Sequence, residues 1–229
     1  IAWRGCVRRL RRSGSLARMS LARVRREYVQ RSLLESRSPA DPLELFRRWL
    51  AAALRSDNVE PNAMTLATVD PRGRPRARMV LLKEAGPRGF TFYTNMTSAK
   101  GRELARHAEA ALVMWWPEFS RQVRIEGRVA RVSAREADEY FALRPRDAQL
   151  GAWASPQSRV IATRSELSAN FTRVAARFHG RAVPRPPHWG GFRLRPRAIE
   201  FWQGRPGRLH DRLRYTLRAG RWRRERLAP

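Results

Sequence analysis

The chain has 229 residues, of which 48 are basic and 20 are acidic, so its formal net charge is +28. A hydrophobic content of 42% excludes a disordered chain, and the single Cys6 excludes an internal disulfide framework. No apolar run approaches the roughly 20 residues that a membrane helix needs, and the first residues lack the apolar core of a signal peptide, so we expect a cytoplasmic protein without a membrane partner.

The first 18 residues differ in composition from the rest of the chain, because they contain six arginines and no acidic residue. Met19 opens the stretch MSLARVRREYVQ, which is a sensible beginning for a folded chain. We therefore expect residues 1–18 to be a basic extension that is disordered or not native, and residues 19–229 to be a single domain. Without the extension the net charge is 42 minus 20, or +22.

The stretch DPLELFRRWLAAALRSD (41–57) predicts an amphipathic helix, capped by Asp41 and begun by Pro42. Spacings of three and four residues place its apolar side chains on one face, where we expect Leu43, Phe46, Leu50 and Leu54.

Alternating apolar residues and turn residues then predict a run of strands interrupted by helices. Strands are predicted at 63–70, 76–84, 89–95, 110–117, 121–133, 191–195, 197–203, 208–216 and, less regularly, 221–227. Helices are predicted at 97–110, capped by Thr97 or Ser98, at 133–153 with a capping box of Ser133 and Glu136, and at 163–180 with Gly180 as its stop. There is no β-α-β alternation and no GxGxxG or Walker motif, so the pattern predicts an α+β fold on a mostly antiparallel β-barrel.

Only two of the 48 basic residues are lysines, Lys83 and Lys100. A GC-rich genome replaces lysine by arginine wherever the two are equivalent, so much of the positive charge is expected to be generic surface. A retained lysine indicates a site where a compact ammonium is preferred over a planar guanidinium, although two instances also fit chance.

Both lysines lie near a predicted anion site. The strand RMVLLK (78–83) has Arg78 at one end and Lys83 at the other, and Lys100 lies in the first turn of the next helix. A cation in the first turn is repelled by the positive end of the helix dipole, unless an anion lies between the cation and the helix end. The alternative is a core strand with solvated ends.

The stretch FWQGRPGRLHDR (201–212) alternates Arg208, His210 and Arg212 with other residues. If this segment is a strand, its period of two places the three side chains on one face. That face would be a ligand site, a nucleic-acid surface or a solvated strand.

Tyr140 and Arg144 are four residues apart on one predicted helix face and would hold a second phosphate or stack at the surface. The four histidines have no metal-ligand spacing, so no metal site is predicted.

These motifs together resemble the pyridoxine/pyridoxamine 5′-phosphate oxidase family. The resemblance extends in order from about residue 23 to 229 and is carried by RREY, RMVLLK, FYTN, RQVRIEG, YFALRPRDAQLGAWASPQS, HWGGFRL and IEFWQGRPGRLHDR. It implies a split-barrel, FMN-binding homodimer with the flavin at the interface. It also implies oxidation of pyridoxamine or pyridoxine 5′-phosphate to pyridoxal 5′-phosphate, with dioxygen as the electron acceptor.

The resemblance also implies roles for individual residues. The implied FMN contacts are Arg78, Met79, Val80, Leu81, Leu82, Lys83, Tyr93, Thr94, Lys100, Gln122, Gln157, Ser158, Trp202 and Arg212. The implied substrate contacts are Lys83, Tyr140, Arg144, Arg208 and His210, with Arg25 to Tyr28 closing over the substrate. Arg208 and His210 are the implied catalytic pair, acting mainly through orientation and electrostatics.

Two positions depart from the family pattern: Ala99 replaces an arginine that commonly precedes the flavin-phosphate lysine, and Ala148 replaces a serine beside the substrate phosphate. Each loss of a hydrogen bond to a charged group is expected to cost roughly 1.5–3 kcal/mol. Arg102, one turn beyond Ala99, is a candidate replacement. We then expect Arg102→Ala to weaken FMN binding far more than Arg106→Ala.

Three functions are therefore compared: the oxidase, a split-barrel flavoprotein that uses another substrate or only stores flavin, and a basic nucleic-acid-binding protein. The third predicts arginines crowded on one element beside exposed aromatic residues. Here arginine is spread along the whole chain, and we expect Trp115, Trp116 and Trp202 to lie in apolar strands, so the oxidase is favoured. The charge would then steer phosphorylated ligands toward the site.

Overall fold

The computed structural model describes residue 28 and residues 32–229, so the predicted extension and Arg25 lie outside the described residues. Nine antiparallel strands in this part of the chain form one sheet, in the order β2-β1-β5-β6-β7-β4-β3, with β8 paired to β7 and β9 paired to β8. The strands are β1 (Ala63–Val69), β2 (Pro75–Leu81), β3 (Glu84–Gly86), β4 (Gly89–Asn95), β5 (Glu109–Trp116), β6 (Arg121–Arg131), β7 (Trp189–Gln203), β8 (Asp211–Arg218) and β9 (Arg221–Leu227).

Five helices of the described chain surround this sheet. They are α1 (Pro42–Leu54), α2 (Ala99–Arg106), α3 (Ala134–Ala142), α4 (Arg146–Ala154) and α5 (Arg164–Arg177). Side chains cap three of these helices as predicted: Asp41 accepts from the amide of Leu43, Ser98 accepts from the amide of Gly101, and Ser133 and Glu136 form the capping box of α3. Among these helices, none combines the length and the apolar content that a membrane span requires. The α+β class with an antiparallel sheet is confirmed.

The long strand β7 connects the two parts of the sheet. Its first half pairs with β4 and its second half with β8, while β6 pairs along almost its whole length. The predicted break between 191–195 and 197–203 is therefore wrong. A register shift on β6, between Glu126 and Gly127, accommodates Pro196 inside β7. Only glycine fits at position 127, because a Cβ on that residue would lie 2.1 Å from the Arg195 carbonyl oxygen.

The main core lies between the inner face of the sheet and α1. Phe46 and Trp49 are buried, and the Trp49 ring meets Phe201 edge-on with centroids 5.2 Å apart. The predicted helix face is partly wrong, because Leu54 is 61% exposed at the helix end while Ala53 is fully buried. Strand residues that alternate inward complete this core: Met64, Leu66, Leu112, Met114, Val123, Ile125, Ile199, Leu213 and Tyr215.

A second, smaller core forms where α3, α4 and α5 pack near the start of β7, and it contains Phe141, Leu150, Phe178, Val183 and Trp189. The predicted single helix over 133–153 is two helices, separated at residues 143–145. Pro145 explains the break, because its ring cannot continue the preceding helix and it occupies the N-cap position of α4. The break opens directly onto the cavity described next.

Candidate active site

A cavity of about 620 Å³ lies between the ends of β2 and β4 and the helices α3 and α4. This volume is typical of small-molecule sites. Many of the predicted site residues line it: Met79, Val80, Leu81, Lys83, Tyr93, Thr94, Lys100, Tyr140, Arg144 and Gln157, together with Ala148. We call the polar and aromatic members Lys83, Tyr93, Thr94, Lys100, Tyr140, Arg144 and Gln157 the cavity cluster.

Three aromatic rings stack along one wall of the cavity. Tyr140 lies 4.1 Å from Tyr93 between ring centroids, and Tyr93 lies 5.4 Å from Trp189, with interplanar angles of 13° and 5°. The Arg144 guanidinium lies over the Trp189 ring, 4.8 Å from its centre, and the Lys83 ammonium lies 5.9 Å from the centre of the Tyr140 ring. The wall therefore combines flat apolar surface with two cations, which suits a planar, anionic ligand.

Arg144 in this wall has a buried hydrogen-bond donor without an acceptor in the described part of the chain. Its Nη1 is buried, and no hydrogen-bond acceptor in the described residues reaches it. Burial also lowers the pKa of the guanidinium. An ionised group in this state is costly unless an anion pairs with it, so Arg144 favours a phosphate-bearing ligand.

Lys100 lies at the other end of the cavity, in the first turn of α2. Its Nζ donates to Thr94 Oγ1 at 3.1 Å and to Gln157 Oε1 at 3.0 Å. Burial, and then the positive charge of Arg78, lower the pKa of Lys100. Lys100 and Arg78 therefore place two positive charges in the same small region, and this arrangement fits a second anion site.

Not every predicted flavin contact lies in this cavity. Arg78 is beside it, held by Glu103 at 2.8 Å. Leu82 points into the core and is 5% exposed, so only its backbone is available. Ser158 is exposed beyond the cavity lining and adopts a φ of 70°. Arg102 Nη1 donates to the Thr97 carbonyl at the start of α2, and its predicted role stays a prediction.

A second group of predicted residues lies on the outer face of the sheet. Register places Trp115, Gln122, Trp202 and Arg212 in one row across β5, β6, β7 and β8, so their side chains share a face. The Trp115 and Trp202 ring centroids are 5.9 Å apart, and Trp115 is 45% exposed rather than covered as expected for an apolar strand. We call this row, with Tyr28 and His210, the sheet-face cluster.

Three further contacts order the sheet-face cluster. Tyr28 meets the His210 ring edge-on at 5.4 Å and Trp202 at 5.8 Å. Arg212 Nε donates to the buried Glu200 at 2.8 Å, and that hydrogen bond raises the pKa of the guanidinium. Glu200 carries no sequence pattern of its own, so reasoning from the sequence did not identify it.

The predicted alternation of Arg208, His210 and Arg212 on one strand face is wrong. Strand β8 begins at Asp211, and Arg208 lies in a tight turn with a φ of 62°, in the left-handed region. His210 is instead fixed by a backbone contact, because the Arg205 amide donates to its Nδ1 at 3.1 Å. Burial and the charge of Arg208 lower the pKa of His210, so its neutral form dominates at neutral pH.

The two clusters lie near opposite ends of β7. Gly191 pairs with Tyr93, and Trp202 pairs with Gln122. The interval of 202 minus 191, or eleven residues, corresponds to roughly 36 Å of strand at about 3.3 Å per residue. In the described part of the chain, the cavity lining contains no member of the sheet-face cluster.

Comparisons with known proteins agree with this geometry. Family models match residues 50–178 as pyridoxamine 5′-phosphate oxidase and residues 189–229 as the pyridoxine 5′-phosphate oxidase C-terminal dimerisation region. Pyridoxine/pyridoxamine 5′-phosphate oxidases of Microcystis aeruginosa and Pseudomonas paraeruginosa are 56% and 55% identical, over 92% of this chain and 99% of theirs.

Solved structures give the same result for the fold. PhzG from Burkholderia lata 383, in complex with tetrahydrophenazine-1-carboxylic acid, aligns with a TM-score of 0.82 at 34% identity, covering 87% of this chain and 99% of its own. An FMN-binding, pyridoxamine 5′-phosphate oxidase-related protein from Nostoc punctiforme aligns with a TM-score of 0.66 at 20% identity, covering 84% of this chain and all of its own. The split-barrel prediction is thus confirmed, and the chain belongs to the pyridoxamine 5′-phosphate oxidase family.

Proposed function

We propose that this protein oxidises pyridoxamine and pyridoxine 5′-phosphate to pyridoxal 5′-phosphate in vitamin B6 biosynthesis or salvage. The alcohol and dioxygen give the aldehyde and hydrogen peroxide, and the amine additionally consumes water and releases ammonia. The observation that carries the proposal is the buried Nη1 of Arg144, which has no hydrogen-bond partner among the described residues and lies beside a stacked aromatic wall; the two together suit a phosphate on a flat ring.

FMN is the cofactor that this family uses, and the residues present fit it. We propose that Arg78, Lys100, Thr94 and Gln157 hold its phosphate end, since two cations and two polar side chains converge there. When bound, FMN would supply the two-electron acceptor that amino-acid side chains lack, and dioxygen would take up the electrons. The absence of a donor at Ala99 leaves Arg78 with a larger share of the phosphate contacts.

Lys83, Tyr140 and Arg144 are proposed to bind the substrate phosphate, and Ala148 adds no donor to this group. Arg208 and His210 are proposed to orient the pyridine ring. His210 Nδ1 is already an acceptor for the Arg205 amide, so the neutral ring carries its proton on Nε2. His210 therefore serves as a hydrogen-bond donor to the substrate rather than as a base.

Two copies of the chain are proposed to build each site, with FMN at their interface. The cavity cluster and the sheet-face cluster are far apart along β7, yet each contains residues that are proposed to contact FMN or the substrate. Met79 and Trp115 leave apolar surface exposed on the outer face of the sheet, at 61% and 45%, and the C-terminal region matches a dimerisation model. A homodimer would bring one copy's Arg208, His210 and Trp202 to the other copy's cavity. The predicted cytoplasmic location stays a prediction.

The test is a visible spectrum of the purified protein, followed by addition of pyridoxamine 5′-phosphate with and without oxygen. We expect flavin absorption at about 450 nm that bleaches without oxygen and returns with it. Flavin that never bleaches would instead favour a split-barrel flavoprotein with another substrate. A colourless protein that takes up no added FMN would contradict the cofactor assignment.

A further inference from the structure

Glu103 is a buried carboxylate close to two cations, Arg78 and Lys100. Its side chain is 8% exposed, and it lies one turn along α2 from Lys100. A negative charge beside a proposed phosphate site repels the ligand, and burying it is costly unless it is paired. Its presence there therefore requires a compensating role.

The contacts of Glu103 indicate that role. Glu103 Oε2 accepts from Thr68 Oγ1 at 2.5 Å and from Arg78 Nη2 at 2.8 Å. Arg78 Nη1 donates in turn to Thr68 Oγ1 and, at 3.3 Å, to the Leu66 carbonyl oxygen. The three side chains form a closed triangle that fixes the plane and the direction of the guanidinium.

The triangle uses only part of the donor capacity of Arg78. A guanidinium has five N–H groups, and these contacts use both hydrogens of Nη1 and one of Nη2. No acceptor among the described residues is assigned to Nε. The remaining Nε–H and Nη2–H lie on the same edge, which is the edge that binds a phosphate through two parallel hydrogen bonds.

We infer that Glu103, with Thr68, is a positioning residue that turns this free edge of Arg78 toward the FMN phosphate. The inference rests on the proposed function, in which Arg78 and Lys100 receive that phosphate. It explains how a chain with Ala99 in place of an arginine keeps a strong phosphate contact: the remaining arginine is fixed in advance, so less conformational entropy is lost on binding.

The inference predicts the sign of a mutational effect. If Glu103 acted through charge alone, its removal would strengthen FMN binding, because one repulsive charge is lost. If it positions Arg78, Glu103→Leu should weaken FMN binding about ten- to a hundredfold, the range of one hydrogen-bonded charge contact. Glu103→Gln keeps an acceptor for Arg78 and should restore affinity to within a few-fold of the original protein.

The experiment is titration of the full-length, flavin-free protein with FMN and with riboflavin, followed by flavin fluorescence. Riboflavin lacks the phosphate, so a positioning defect should weaken FMN binding and leave riboflavin binding unchanged. Glu109→Leu is the matched control, since it breaks the exposed ion pair with Arg197 away from the cavity. If Glu103→Leu does not fold, Thr68→Val removes one side of the triangle and should show a smaller selective loss.

Four results would overturn the inference. An equal loss of both flavins would mean that Glu103 only supports the fold, and tighter FMN binding would mean that it acts by charge. An Arg78→Ala variant that keeps the normal preference for FMN over riboflavin would show that Arg78 does not receive the phosphate. This last result would also refute the proposed cofactor site, whereas an effect of Arg78→Ala without any effect of Glu103→Leu would refute the positioning role alone.

Discussion

Mixed dimers of two inactive variants should regain activity if each site is shared between copies. Lys83→Ala damages the cavity cluster and Arg208→Ala damages the turn beside the sheet-face cluster, and roughly 36 Å of β7 separates these regions in one chain. Each site combines the cavity of one copy with Arg208 of the other copy. In a mixed dimer, one site therefore contains both substitutions and the other site contains neither.

The size of the recovery follows from the two-fold symmetry of such a dimer. When equal amounts of the two variants are unfolded, mixed and refolded, about half of the dimers are mixed and each has one intact site. The mixture should therefore reach about a quarter of the original activity. A preparation selected with two different affinity tags should reach about half.

Hydrogen peroxide release with pyridoxamine 5′-phosphate measures the recovery. Mixing Lys83→Ala with Arg144→Ala is the control, because both changes fall in the same cluster and no dimer contains an intact site. If tag-selected mixed dimers are no more active than either parent, each site is built within one chain and the two-copy arrangement is wrong.

Three further results are expected from contacts within one copy. Arg144→Ala should raise the KM for pyridoxamine 5′-phosphate about ten- to a hundredfold in oxygen-consumption assays, and a change below about twofold would argue against the phosphate contact. Ring-carbon NMR shifts of His210 should indicate a proton on Nε2 at neutral pH, because the Arg205 amide occupies Nδ1, and a proton on Nδ1 would contradict this. The hydrogen bond from Arg193 lowers the pKa of Glu136 from 4.5 to about 2, so its stabilising effect is complete above pH 4.5 and is lost as the pH falls toward 2. Glu136→Gln should therefore reduce the acid-dependent fall in the free energy of unfolding measured with urea, and an unchanged pH profile would refute this assignment.

Features with local causes could be predicted from the sequence. Asp41 and Ser133 cap helices as predicted, and Ser98 is one of the two residues predicted to cap α2, since a side chain that accepts from a nearby amide acts over one turn. Strand β4 also agrees with its prediction, residues 89–95, because alternation and turn residues define it.

Features that depend on distant residues could not be predicted in this way. Pro196 is a local indicator of a strand end, but the register shift opposite it on β6 lets β7 continue. The triangle that contains Thr68 and Glu103 joins residues 35 positions apart, so no spacing in the sequence identifies it. A backbone amide rather than strand periodicity orients His210, and its role in the site stays a prediction.

The placement of the two clusters along β7 has a consequence for the handling of the protein. If a flavin touches both copies, its binding and the association of the copies are thermodynamically linked, and each strengthens the other by the same factor. Dilution of the enzyme should then release cofactor as well as subunits, and added FMN should shift the sedimenting species toward the dimer. Cofactor content measured at one protein concentration would not apply at another.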